Sequence, residues 1–124
     1  MTHTEATLVA IVDDDEEMRC ALEELMAVVG LTARTFASAE AFLESGDRLR
    51  TGCLIADIRM PGMSGLDLQA ALNAADCRIP TIFVTAHADE HIRLRALRGG
   101  ALDLLAKPFD DVALVASVRA ALEE

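Results

Sequence analysis

The chain has 124 residues, enough for one domain with a sizeable core, and 52% of them are hydrophobic while only 3% are aromatic. Its net charge is −10, which argues against direct nucleic-acid binding because such binding depends on basic residues that neutralise phosphates. An acidic chain can instead bind divalent cations or basic partner surfaces. The cysteines are scattered and form no CxxC pair, which argues against a disulfide framework. No apolar run approaches the roughly 20 residues of a membrane span, and the polar stretch at residues 1–7 does not resemble a signal peptide. We therefore expect a cytoplasmic protein.

Short apolar runs alternate along the chain with longer stretches of helical periodicity. The apolar runs are typical of buried strands and comprise residues 8–12, 32–36, 53–56, 81–85 and 103–106. The stretches that predict helices are residues 16–29, 38–44, 64–75, 89–98 and 111–123. Ser38 and Asp110 stand where N-caps belong, Ser64 and Asp67 have capping-box spacing, and Gly30 is placed to end the first helix. Five rounds of strand and helix predict an α/β fold with a parallel sheet covered by helices on both faces.

Polar side chains end four of the five predicted strands or follow them directly. They are Asp13, Asp14 and Asp15 after the first strand, Asp57 after the third, Thr85 at the end of the fourth, and Lys107 after the fifth. In an open parallel α/β sheet, ligands bind outside the carboxyl ends of the strands. We therefore expect these groups to converge on one edge of the sheet.

The expected cluster has a coherent chemistry. Grouped carboxylates are hard oxygen ligands that suit Mg²⁺ with several waters retained. Asp57 stands alone on the central strand and is the predicted nucleophile toward phosphorus, which leaves Asp13 and Asp14 to hold the metal. Lys107 and Thr85 would neutralise and position phosphoryl oxygens together with the metal.

Four motifs, in this order and at this spacing, resemble those of the response regulator receiver domain. They are VDDDEEMR at 12–19, DIRMPGMSG at 57–65, VTAHAD at 84–89 and AKPF at 106–109. The resemblance covers about residues 8–122 and is closest to the nitrogen-fixation regulators, in which a receiver precedes a helix-turn-helix DNA-binding domain. It implies a doubly wound, five-stranded parallel sheet of order 2-1-3-4-5 with five helices. We expect residues 1–124 to form a single receiver domain, excised from a longer regulator and without its output domain.

The resemblance also implies the roles of individual residues. The phosphoryl group would come from the phosphohistidine of a sensor histidine kinase. Asp57 is the implied phosphoacceptor. Asp13 and Asp14 form the acidic pair for Mg²⁺, in which Asp14 is the favoured direct ligand. The backbone carbonyl of Arg59 is the further protein ligand, and its side chain, like His87, is a candidate for tuning phosphate lifetime. For His87, the reading as an ordinary loop residue stays open.

The implied switch depends on Thr85, whose hydroxyl moves toward the phosphoryl group that Lys107 also contacts, and the Lys107–Pro108 bond is expected to be cis. Three residues before Lys107, where the family usually carries Tyr or Phe, this chain has Leu104. A leucine has neither ring nor hydroxyl, so the strength of the usual coupling between Thr85 and an aromatic side chain is open.

The implied function is a phosphorylation-dependent signalling switch that catalyses only its own phosphorylation and dephosphorylation. Phosphorylation would shift a two-state equilibrium and act through a face made of helix 89–98, strand 103–106 and the last helix. That face would control homodimerisation or a transcriptional output domain. Arg93, Arg95 and Arg98 on helix 89–98 are either a solvated face or part of this partner surface.

Two other functions compete with the switch. A phosphatase of the haloacid-dehalogenase type would use Asp13 as nucleophile and Asp15 as acid and base, but Glu, Glu and Met at 16–18 do not fit it and the DIRMPG segment would have no role. A constitutive binding module that has lost phosphorylation would not need the complete set of acids, hydroxyl and lysine.

Overall fold

A computed structural model of the chain describes residues 7–123, so most of the polar start that bears on a signal peptide lies outside the described residues. Within 7–123, five strands and five α-helices alternate. In chain order they are β1 (Leu8–Val12), α1 (Glu16–Val28), β2 (Ala33–Phe36), α2 (Ala39–Ser45), β3 (Thr51–Ala56), α3 (Gly65–Ala74), β4 (Thr81–Thr85), α4 (Glu90–Arg98), β5 (Asp103–Ala106) and α5 (Asp111–Leu122). Over this range, no helix combines the length and hydrophobicity that a bilayer crossing requires.

The strands form one parallel sheet of order β2-β1-β3-β4-β5, which confirms the predicted fold class and strand order. Every residue of β1, β3 and β4 is buried, as expected for strands that helices cover on both sides. One face packs against α2, α3 and α4 through residues such as Phe42, Leu68 and Ala96. The other packs against α1 and α5 through Leu22 and Leu114.

The helix boundaries follow local signals that the sequence contains. Ser38 and Asp110 cap α2 and α5 as predicted. Ser64 and Asp67 form the complete capping box of α3, with each side chain accepting a hydrogen bond from the other residue's backbone N–H. Gly30 follows the end of α1 with a φ of +83°, a left-handed conformation that glycine adopts without strain.

Strand β3 begins two residues before the predicted start. Thr51 and Gly52 are typical of a turn, yet Thr51 pairs with Leu8 and is buried. Its hydroxyl donates a hydrogen bond to the carbonyl of Asp47 at 2.9 Å, so the buried polar group is satisfied. A short 3₁₀ helix at Arg48–Arg50, which no periodicity indicated, leads into this strand.

Candidate functional site

The carboxyl ends of β1 and β3 lie side by side, which brings two of the predicted acids together. Val12 and Ala56 are register partners, and the N–H of Asp57 donates to the carbonyl of Val12 at 3.0 Å. Asp13 is 1% exposed and Asp57 is 8% exposed, whereas Asp14 is exposed. Two carboxylates are therefore buried at the edge of the sheet, and burial of a charge requires a compensating partner.

Lys107 supplies that partner from the end of β5. Its Nζ lies 3.1 Å from Oδ2 of Asp13 and 3.1 Å from Oδ2 of Asp57. Burial raises the pKa of the Asp13 carboxyl and the neighbouring Asp57 charge adds to this, while the Asp15 amide and Lys107 offset part of the rise. Burial alone would lower the pKa of Lys107, but its hydrogen bonds and charge interactions with Asp13 and Asp57 outweigh this and raise it. The ammonium therefore stays charged between two carboxylates.

The second oxygens of both carboxylates are also held. Oδ1 of Asp13 accepts the N–H of Asp15 at 2.9 Å, and Oδ1 of Asp57 accepts the N–H of Ile58 at 2.7 Å. Asp15 itself caps α1 by accepting the N–H of Glu17 at 3.0 Å. Asp15 therefore has the ordinary role of a helix N-cap.

The acidic groups are close enough to share a cation. Asp13, Asp14 and Asp57 each offer a carboxylate oxygen, and these three oxygens lie within 4.8 Å of one another. Three hard oxygen donors suit an ion such as Mg²⁺ that keeps several of its waters. The Asp14 side chain is exposed, so solvent reaches the group. The residues present are therefore suitable for the expected metal.

Thr85 joins this edge from the end of β4. Its side chain is fully buried, and its hydroxyl oxygen accepts the N–H of His87 at 3.1 Å, which leaves the hydroxyl hydrogen free to donate elsewhere. The carbonyl of Thr85 accepts the N–H of Lys107 at 2.8 Å. The Lys107–Pro108 peptide bond is cis, as predicted.

The loop between β3 and α3, residues 58–64, is compact because Gly65 lacks a side chain. The N–H of Gly65 donates to the carbonyl of Ile58 at 2.8 Å. A Cβ at this position would collide with the backbone carbonyl oxygen of Asp57. Glycine at position 65 therefore lets α3 begin directly against the end of β3, with the exposed Arg59 in the loop between them.

Leu104 lies at the second position of β5 and is 5% exposed. It belongs to the hydrophobic cluster on the α2–α3–α4 side of the sheet, together with Phe83 and Ala96. Register pairs Leu104 with Phe83 on β4, two residues before Thr85. The predicted coupling position thus lies on the side of the sheet that packs against α4.

Two side chains that contact the site's loops were not identified from the sequence. Nη1 of Arg19 donates to the carbonyl of Asp13 at 2.7 Å, which fixes the peptide unit leading to Asp14. Oε2 of Glu40 accepts the N–H of Met63 at 3.0 Å, across 23 positions of the sequence. Arg19 lies within the motif at 12–19, in which the acids carry the predicted metal site. Glu40 lies in the first turn of a predicted helix, where an acid is expected because it interacts favourably with the helix dipole.

Comparisons with known proteins agree with this geometry. The sequence profile of the response regulator receiver domain matches residues 9–119. The chain is 43% identical over 118 residues to the transcriptional regulatory protein FixJ of Azorhizobium caulinodans, covering 95% of this chain and 56% of that protein. It is 45% identical over 124 residues to nodulation protein W of Bradyrhizobium diazoefficiens, covering 98% and 55%.

Among solved structures, the crystal structure of FixJ-N matches with a TM-score of 0.87 and 36% identity, over 98% of this chain and 97% of that one. The response regulator StyR matches with a TM-score of 0.87 and 41% identity, over 94% of this chain and 59% of that one. The chain spans about half the length of the curated relatives named above. The predicted similarity to receivers of nitrogen-fixation regulators is confirmed.

Proposed function

Since the chain belongs to the response regulator receiver domain family of two-component systems, we propose that Asp57 accepts a phosphoryl group from the phosphohistidine of a sensor histidine kinase. The observation that carries the proposal is the Lys107 ammonium, 3.1 Å from a carboxylate oxygen of both Asp13 and Asp57. A cation held between two buried acids can follow the negative charge from a carboxylate to a phosphoryl oxygen.

Transfer forms one bond and breaks another. A carboxylate oxygen of Asp57 bonds to phosphorus as the bond between phosphorus and the kinase's imidazole nitrogen breaks, and the electron pair of the broken bond stays on that nitrogen. Mg²⁺, held by Asp13, Asp14, Asp57 and the carbonyl of Arg59, would neutralise phosphoryl oxygens. Lys107 would pair with one oxygen of the group on Asp57, and the Thr85 hydroxyl would donate its hydrogen to another.

The chain catalyses its own phosphorylation and the later hydrolysis of the aspartyl phosphate, and it acts on no separate substrate. His87 follows Thr85 by two residues and Arg59 follows Asp57 by two residues, and both side chains are exposed. Their size and charge would control how readily water reaches the phosphoryl group, and so its lifetime.

The output is relayed from Thr85 through Leu104 to the face formed by α4, β5 and α5. Helix α4 carries two half-exposed leucines together with three arginines, in an otherwise acidic protein. The leucines are Leu94 at 42% and Leu97 at 38% exposure. Exposed apolar side chains rimmed by charge suit a protein interface, either with a second copy of the chain or with an output domain. By analogy with the named relatives, such a domain would regulate transcription in the cytoplasm.

A labelling experiment tests the proposal. The protein is incubated with Mg²⁺ and acetyl phosphate, and intact mass is measured for wild type, Asp57→Asn and Asp13→Asn. We expect one added phosphoryl group in wild type and none in Asp57→Asn. Labelling that persists in Asp57→Asn but disappears in Asp13→Asn would favour the phosphatase, and an unlabelled wild type would favour the constitutive binding module.

A further inference from the structure

The loop 58–64 between β3 and α3 is held at both ends by its own neighbours. The N–H of Gly65 donates to the carbonyl of Ile58 at 2.8 Å, and the N–H of Ser64 donates to Oδ2 of Asp67 at 3.1 Å. These bonds close the base of the loop and leave its outer bend, at Gly62 and Met63, without support from β3 or α3 among the described hydrogen bonds. Met63 packs against the hydrophobic cluster, but a hydrogen bond to the bend has to come from another element.

Glu40 on α2 supplies that support. Its Oε2 accepts the N–H of Met63 at 3.0 Å. The same oxygen lies 2.8 Å from where a Cβ on Gly62 would stand, so the carboxylate rests directly against the glycine. Gly62 has a φ of +76°, which places this backbone in the left-handed region that glycine tolerates. One carboxylate therefore contacts two successive residues of the bend.

The first turn of α2, which carries Glu40, is firmly packed against the core. Glu40 lies in the first turn of α2, between Ala39 and Phe42, which are both fully buried. An acid in the first turn is favoured by the helix dipole. Strand β2, which precedes α2, ends at Phe36, whose carbonyl accepts the N–H of Asp13 at 3.1 Å. The first turn of α2 is thus anchored at the same edge of the sheet as the acids.

We propose that Glu40 is a positioning residue for the metal and phosphoryl group, acting through the loop that presents the carbonyl of Arg59. A loop already held in its bound shape loses less conformational entropy when ligands bind, and so binds them more tightly. This inference rests on the proposed function, because Arg59 matters only if its carbonyl is a ligand.

Three variants separate the hydrogen bond from the charge. Glu40→Ala removes both, Glu40→Gln keeps an acceptor oxygen for the N–H of Met63 without the charge, and Glu44→Ala removes an exposed acid from the same helix as a matched control. Mg²⁺ binding is followed by amide chemical shifts in isotopically labelled protein, with no phosphodonor present. We expect the half-saturating Mg²⁺ concentration to rise about three- to tenfold in Glu40→Ala. It should stay within about twofold of wild type in the other two variants.

Two further readouts test positioning rather than folding. Amide exchange at Met63, without Mg²⁺, should be faster in Glu40→Ala and unchanged in Glu40→Gln. Phosphorylation by acetyl phosphate should return to the wild-type rate in Glu40→Ala once Mg²⁺ is saturating. The inference is overturned if Glu40→Ala binds Mg²⁺ like wild type, if Glu40→Gln is as weak as Glu40→Ala, or if excess Mg²⁺ fails to restore the rate. A wild type that gains no phosphoryl group would instead refute the proposed function.

Discussion

The carboxyl edge of the sheet and the face formed by α4, β5 and α5 are built in opposite ways. At the edge, Asp13 and Asp57 are buried and each bonds through both carboxylate oxygens, to Lys107 and to a backbone N–H. By contrast, Leu94 and Leu97 of α4 are more than a third exposed. The edge is preorganised for one chemical event, whereas the face has apolar surface that only a partner would cover.

The edge should depend most strongly on its single ammonium. Lys107→Met leaves two buried carboxylates without their cation, and we expect a loss of about 3 kcal/mol of unfolding free energy. Urea unfolding followed by circular dichroism measures it, because the chain has no Trp or Tyr to report by fluorescence. Added Mg²⁺ should recover part of the loss, since a second cation can occupy the same acids.

The matched control for that loss is the double variant Lys107→Met with Asp13→Asn. Removing one acid together with the lysine relieves the repulsion, so the double variant should be more stable than Lys107→Met alone. If both unfold at the same urea concentration, charge pairing does not hold the edge together.

The face should respond most to Leu104, its link to the edge. Leu104→Tyr adds a ring where Phe83 and Ala96 already fill the space, at a cost of about 1–3 kcal/mol, and its hydroxyl favours a rotamer directed to solvent. We expect the beryllofluoride-dependent association of the protein to change at least about threefold while the phosphorylation rate changes less. Light scattering of both proteins, with and without beryllofluoride, measures association. Identical behaviour would remove Leu104 from the relay.

The buried charge of Asp13 should lower the free energy of unfolding of the folded protein. The Asp13 pKa is raised from its ordinary value of 3.8, so the folded protein binds this proton more tightly than the unfolded chain does. Stability therefore falls as pH rises from 3.8 through the raised pKa. Asp13→Asn lacks this cost and should be about 1 kcal/mol more stable than wild type at pH 7, without Mg²⁺.

Urea unfolding of Asp13→Asn and wild type across a pH series checks the sign. The difference between them should shrink as pH falls toward 4, where the carboxyl of wild type takes up its proton. A gain that is constant with pH would mean that the amide stabilises the edge by some means other than relief of the buried charge.

The contrast between edge and face also explains what could be predicted from the sequence. Asp57, Thr85 and Lys107 each end a strand or follow one directly, and parallel strands end at a common edge, so local patterns were sufficient. Arg19 and Glu40 reach the site from helices, and their contacts depend on how each helix is rotated on the sheet. Sequence periodicity gives neither the rotation of a helix nor the path of a loop, so the contact between Glu40 and Met63, 23 positions apart, could not be predicted.

The smallest predicted effect on phosphorylation concerns how α4 is held at its C-terminal end. Gln69 and Asn73, one turn apart on α3, donate their side-chain amides to the carbonyls of Ala96 at 3.0 Å and Gly99 at 2.9 Å. The Gln69 bond is buried and the Asn73 bond is exposed, so Gln69→Ala should cost about 1–2 kcal/mol and Asn73→Ala about 0.5 kcal/mol. If these bonds fix only the C-terminal end of α4, neither variant should alter phosphorylation at Asp57 by more than about twofold, while Gln69→Ala should speed amide exchange in the last turn of α4. Equal losses of stability in the two variants would contradict the difference in burial, and a changed phosphorylation rate would mean that α4 and the edge are coupled through α3 as well as through Leu104.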